Sequence, residues 1–208
     1  MEPKERRLVY ECLETRRLLT GTIEAQFRIA ASSDDAEERP SGNVTLTSSD
    51  LELTLDNTNQ QTVGMRFNGV DIPPGALIQN AYLQFQADET GSSATSLRLY
   101  GQANDNAATF LSIDGNISSR AKTTASVPWS PAAWNVRGAA GLDQRTPNLS
   151  AVIQEIVNRP GWSSGNSLAL IVTGTGTRTA ESFDGLPSAA PLLYVDYLFG
   201  NQAPTTAG

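Results

Sequence analysis

The 208-residue chain has no histidine and one cysteine, Cys12. Without imidazole there is no His-based general base, no His-zinc site and no Ser-His-Asp triad. A single thiol excludes both an intrachain disulfide framework and a Cys-X-X-Cys redox site, while leaving secretion open. No stretch approaches the roughly 20 apolar residues of a membrane span. Positive charge is also short: 15 Lys and Arg stand against 22 Asp and Glu, for a net charge of −7. A polyanion such as nucleic acid, or an anionic membrane surface, would be repelled at long range. Cations and neutral molecules remain as partners.

Turn formers are plentiful, with 17 Gly and 11 Pro, and the length suffices for one domain with a core that needs no covalent or metal staple. Composition divides the chain into three: an N-terminal segment over 1–21, a module over 22–198 and a linker over 199–208. The first 20 residues, "MEPKERRLVYECLETRRLLT", hold five of the basic and four of the acidic residues. They lack the unbroken apolar stretch of an ordinary signal peptide. The ending "LFGNQAPTTAG" has no periodicity and reads as a linker.

Across the module the hydrophobic period is mainly two. "AQFRIAAS" sets Phe27, Ile29 and Ala31 on one side, and "NVTLTSSDLELTL" gives two short strands with Val44, Leu46, Leu51, Leu53 and Leu55 inward. "TVGMRF" is a further strand. After the turn "DIPPGA", "LIQNAYLQFQAD" places Ala81, Leu83, Phe85 and Ala87 inward, with Tyr82, Gln84 and Gln86 outward. "SLRLYGQA" puts Leu97 and Leu99 inward, Arg98 and Tyr100 outward, and "SLALIVTG", "RTAESF" and "PLLYVDY" complete the set. One helix interrupts: Leu149, Val152, Ile153, Ile156 and Val157 recur at helical spacing, with Thr146-Pro147 suited to its start and Pro160 to its end. Strands that do not alternate with helices predict an all-β, jelly-roll-like antiparallel β-sandwich with one short amphipathic helix.

Two stretches resemble known families. "LETRRLLTG" resembles the LEPR-XLL signature near the start of large secreted and surface proteins of planctomycete-type bacteria, with Thr15 where that signature has Pro. "TVGMRFNGVDIPPGALIQNAYLQFQADE" and "NLSAVIQEIVNRPGWSSGNSLALIVTG" resemble DNRLRE-type, disaggregatase-related modules, in which a strand ending in "RF" precedes "IPxGAxIxxAxLxF" and a short helix leads through Gly and Trp to a late strand. The similarity spans most of residues 26–197. It implies a jelly-roll module appended to a secreted or cell-surface bacterial protein, binding in role, with a polysaccharide as partner and further domains beside it.

Three groups of residues are candidates for a site. Asp34, Asp35, Glu37, Glu38, Asp50 and Glu52 crowd a short stretch, and a hard cation such as Ca²⁺ takes six to eight oxygen ligands of this kind. The resemblance to carbohydrate modules adds a structural calcium near the first strand and the chain ends, with Asp196 a more distant ligand. An acidic turn solvated by water and partly neutralised by Arg39 is the other reading. Second, if "NAYLQFQA" and "SLRLYGQA" lie side by side, Tyr82, Gln84, Gln86, Arg98 and Tyr100 form the aromatic and amide patch that sugars require; β-propensity alone also favours such residues. Third, Trp129 and Trp134 in "SVPWSPAAWNV" lie in an expected loop, where they either stack on a sugar or anchor the loop. Trp162 reads as an anchor. Catalysis has little support: Glu181 and Asp184 have no evident carboxylate partner in the sequence, and "GTGTRTA" lacks the lysine of a phosphate loop. The expected function is a non-catalytic, carbohydrate-binding accessory module; a structural spacer or adhesion domain is the alternative.

Overall fold

A computed structural model describes residues 21–199. Thirteen strands and one helix succeed one another in this range: Ile23–Arg28 (β1), Asp35–Glu38 (β2), Val44–Thr45 (β3), Asp50–Glu52 (β4), Leu55–Asp56 (β5), Asn59–Gln60 (β6), Thr62–Phe67 (β7), Leu77–Gln84 (β8), Ser96–Gln102 (β9), Lys122–Trp129 (β10), Ser150–Val157 (α1), Leu168–Thr175 (β11), Thr179–Glu181 (β12) and Leu192–Leu198 (β13). All pairings are antiparallel. A three-stranded sheet runs β1-β13-β8, a six-stranded sheet runs β10-β9-β11-β7-β2-β3, and β12-β4 and β5-β6 form small pairs. The expected all-β sandwich with one short helix is what forms. The N-terminal segment and the linker residues 200–208 lie outside the described residues.

Water is driven from the inward rows of both sheets. Ala81, Leu83 and Phe85 on the β8 side meet Val63, Met65 and Phe67 of β7, Leu97 and Leu99 of β9, and Leu168, Leu170 and Val172 of β11 in one cluster. Each fully buried aliphatic or aromatic side chain contributes roughly 1.5–3 kcal/mol. The helix packs against β8, β9 and β10, and its five periodic residues are all buried. It can approach because β9 carries Gly101 there: a Cβ on that residue would sit 2.7 Å from Ile156 Cδ1.

The helix starts later than Thr146 because the residues before it have another task. Strand β8 would leave one edge unpaired, and an unpaired edge invites pairing with other chains. Instead Leu83 N–H donates to Thr146 Oγ1 (3.0 Å), Ala81 N–H to Asn148 Oδ1 (3.1 Å) and Ile78 N–H to Gln154 Oε1 (2.8 Å). Thr146 is thus an edge cover, not a helix cap.

A second core escaped the period-two reading. On the other face of the six-stranded sheet, Ala36, Val44, Ala169 and Ile171 are covered by Ala107, Phe110 and Ile117 from the long β9–β10 connection. The sheet is therefore covered on both faces at β2, β3 and β11, while the outer side of β9 and β10 keeps exposed residues such as Arg98 and Thr124. Phe110 lies against Gly64, where a Cβ would come within 2.5 Å of its ring. The Arg120 guanidinium closes over the ring at 4.2 Å.

Candidate functional site

The crowded acids do not form a turn. Asp35–Glu38 is strand β2, and Asp34, Asp35, Glu37 and Glu38 are each less than 5% exposed. Alternation along the strand sends them different ways. Asp34 binds the Arg66 guanidinium at 2.6 Å and accepts from the Asn68 amide. Asp35 accepts the Phe183 N–H (2.7 Å), and Glu37 accepts the Glu52 N–H (2.7 Å). Glu38, on the opposite face, accepts the N–H groups of Ile117 and Ser118 on a single oxygen, Oε2 (2.7 and 2.8 Å). Asp50 takes the Ser48 hydroxyl (3.2 Å). The solvated acidic turn is therefore corrected to a buried strand whose carboxyls satisfy backbone and side-chain donors. Among the described residues no group of three Asp, Glu or Cys side chains that could hold a metal ion is found; of the six acids expected around Ca²⁺, five accept the donors just named, and Glu52 lies beside Glu37.

Burial shapes their protonation. Loss of water pushes Asp35 up to about 7, with Asp184 and Asp34 adding repulsion against the Phe183 N–H. Glu37 is pushed up strongly, first by burial and then by Glu52, with which it shares a hydrogen bond. Asp50 rises through burial and Glu52. Glu181, register partner of Asp50 across β12-β4, rises through burial and Asp88. The carboxyls of Asp35, Glu37 and Asp50, on β2 and β4, are thus all shifted towards the protonated form.

The expected sugar patch is split. Strands β8 and β9 lie in different sheets, so their outward residues occupy opposite faces of the sandwich. Arg98 binds the Ser126 hydroxyl (3.0 Å) on the larger sheet, and half-buried Tyr100 stands beside Ile171 and Ser126 in the register. Gln86 lies beyond the end of β8, its carbonyl accepting the Glu181 N–H. Tyr82 and Gln84 remain together on the outer face of the three-stranded sheet, in company the sequence pattern did not disclose. The register places Tyr194 opposite Tyr82 and Gln26 opposite Tyr194. The two rings stack at 4.7 Å with planes 16° apart. Arg145 lies over the other side of Tyr82, 3.9 Å from its centroid, held by Gln84 Oε1 (3.1 Å). The sequence signal for Tyr194 was its outward place in "PLLYVDY"; Arg145 offered none, because it arrives from a loop bridged to Gln84.

In this stack Arg145 and Tyr194 cover the two faces of Tyr82. Tyr194 itself is half-buried, and its register partner Gln26 of β1 is exposed. The Asp196 carboxylate, followed by burial, raises the Tyr194 hydroxyl above its ordinary pKa. The next rows of the same face hold Arg28, Leu192 and Gln84 on one side and Glu24, Asp196 and Asn80 on the other. On this face Glu24, Gln26 and Arg28 are exposed, while Asn80, Gln84, Tyr194 and Asp196 are half-buried.

The tryptophans offer no ring to a ligand. Trp134 is 0% and Trp129 5% exposed. Trp129 closes strand β10 and stacks on Phe85 at 5.8 Å, and the Trp134 indole donates to the Asp143 carbonyl (2.9 Å). The expected loop placement is corrected for Trp129 alone, since Trp134 lies in the connection after β10 with one bridge to Gly91; Pro128 is tolerated in β10 because β10 is the edge of its sheet. Trp162 is 2% exposed and donates to the Ile72 carbonyl (2.9 Å), as an anchor does. Arg178, missed in the sequence, pins this region. Its buried guanidinium donates five hydrogen bonds, to the carbonyls of Ser93, Pro131, Ala132 and Thr177 and to Thr95 Oγ1.

No protein-family model matches the chain, and a search of curated proteins finds no match.

Proposed function

We propose that the chain is a non-catalytic accessory module of an exported or surface bacterial protein and binds polysaccharide on the outer face of its three-stranded sheet. One observation carries this reading: the Arg145–Tyr82–Tyr194 stack, in which the half-buried Tyr194 ring stands beside exposed Gln26 with Glu24, Arg28 and Asp196 in the neighbouring register rows. An aromatic face matches the apolar C–H side of a pyranose, while amides and charged groups exchange hydrogen bonds with its hydroxyls. The resemblance of residues 26–197 to DNRLRE-type modules supports a binding role, and the LEPR-XLL-like segment supports export within a larger protein. Among the described residues no helix is long and apolar enough to cross a membrane.

Affinity electrophoresis in gels cast with soluble polysaccharides tests the reading. At least one polysaccharide should retard the protein. Tyr194→Ala should abolish retardation, while Tyr100→Ala, on the opposite face, should retain it. A full panel without retardation would leave the spacer or adhesion reading in its place, and retardation lost only with Tyr100→Ala would move the site to the other sheet.

A further inference from the structure

A groove of about 520 Å³ opens where β2, β6, β7 and β11 approach the turn at Ser41-Gly42 and the β9–β10 connection; Glu38, Arg39, Gln61, Thr62, Ser118 and Thr173 are among its walls. Its volume falls within the roughly 300–1,000 Å³ of small-molecule sites, and its mixed walls carry amides, hydroxyls, one guanidinium and one buried carboxylate. Glu38 is fixed there. Both backbone donors that reach it, from Ile117 and Ser118, fall on Oε2, which leaves Oε1 for a further partner. The Arg39 guanidinium, the cation in this wall, is drawn to Asp56 at 3.5 Å, so it does not neutralise Glu38. The Gln61 side chain is 4% exposed and its amide oxygen has no partner among the described residues.

The one carboxylate in these walls, Glu38, is thus held by neutral N–H groups and keeps its charge uncompensated by a cation among the described residues. The complementary ligand brings donors and a positive charge. We propose that this groove binds a hydroxyl-rich molecule carrying a primary ammonium, the chemistry of a hexosamine with a free amino group, with the ammonium on Glu38 Oε1 and the hydroxyls on the Thr62, Ser118 and Thr173 side. A charge-assisted bond of this kind is about twice as strong as a neutral one, and the net charge of −7 draws such a cation in.

The site shares no residue with the outer face of the three-stranded sheet, so it stands or falls separately from the polysaccharide reading. Titration of the whole chain with glucosamine oligosaccharides, followed by calorimetry, should give saturable binding that weakens at 0.5 M salt. The N-acetylated oligosaccharides and cello-oligosaccharides should bind at least about tenfold more weakly, for want of the charged bond. Glu38→Gln keeps an acceptor for Ile117 and Ser118 and should lose that preference. Ser118→Trp, at an exposed position, should block the groove without entering the core. Tyr194→Ala should leave glucosamine binding intact. Absence of saturable binding, equal affinity for the N-acetylated oligomers, or binding retained in both Glu38→Gln and Ser118→Trp would each overturn the proposal.

Discussion

Asp35 makes the protein more stable in mild acid than at neutral pH. Its carboxyl is 3% exposed and titrates near 7 in the fold against 3.8 in the unfolded chain, chiefly because burial disfavours the charge. The folded state therefore binds this proton more tightly, by about 4 kcal/mol at roughly 1.4 kcal/mol per pH unit. The sign follows from the raised value: the stabilisation is complete below pH 3.8, is lost progressively as pH rises towards 7, and is gone above it. Asp35→Asn removes the titration. Its side-chain oxygen still accepts the Phe183 N–H, so near pH 4 the variant should match the parent to within about 1 kcal/mol. At pH 8 it should be the more stable by up to about 4 kcal/mol, since the parent must then ionise a buried group. Urea unfolding at pH 4, 6 and 8, followed through the fluorescence of the buried tryptophans, measures both curves. If Asp35→Asn lost the same stability at every pH, the carboxyl would be charged throughout and the account of β2 would be wrong.

Glu37→Gln should likewise raise stability at neutral pH and above, with a benefit that grows as pH rises, because Glu37 too is held protonated; a benefit confined to acid would contradict this. Gly64→Ala puts a methyl into the Phe110 ring and should cost about 1–3 kcal/mol in urea unfolding, less in a Phe110→Leu background. Arg178→Met strands five acceptors around Trp134 and should destabilise by about 3 kcal/mol or more, which a Tm drop of several degrees would register. Since Asp35, Glu37, Glu38 and Asp50 already accept protein donors, millimolar Ca²⁺ or EDTA should move Tm by less than about 1 °C; a clear rise with Ca²⁺ would instead point to an ion bound by the folded form.

How much of this was legible before folding depended on whether a residue's neighbours were near in sequence. Alternation in "LIQNAYLQFQAD" and helical spacing from Leu149 to Val157 are local patterns, and the buried rows follow them. The acids of β2 misled because charge density suggests solvent. Their partners, at Arg66, Phe183 and Ile117, are 32, 148 and 79 residues or more away along the chain. Tyr82 and Gln84 were recognised as outward, yet their true companions come from Tyr194 and Arg145, and β9 belongs to the opposite sheet.

The amino-acid pattern alone set which faces of strands shed water, because side chains alternate across any extended backbone whatever it pairs with. It also excluded imidazole chemistry and an intrachain disulfide within these 208 residues. Strand order, and with it the company each outward residue keeps, was decided by the tertiary structure. Sheets bring together segments by shape and hydrogen bonding over separations that no local period encodes, and a carboxylate can go dry only when distant N–H groups arrive to meet it.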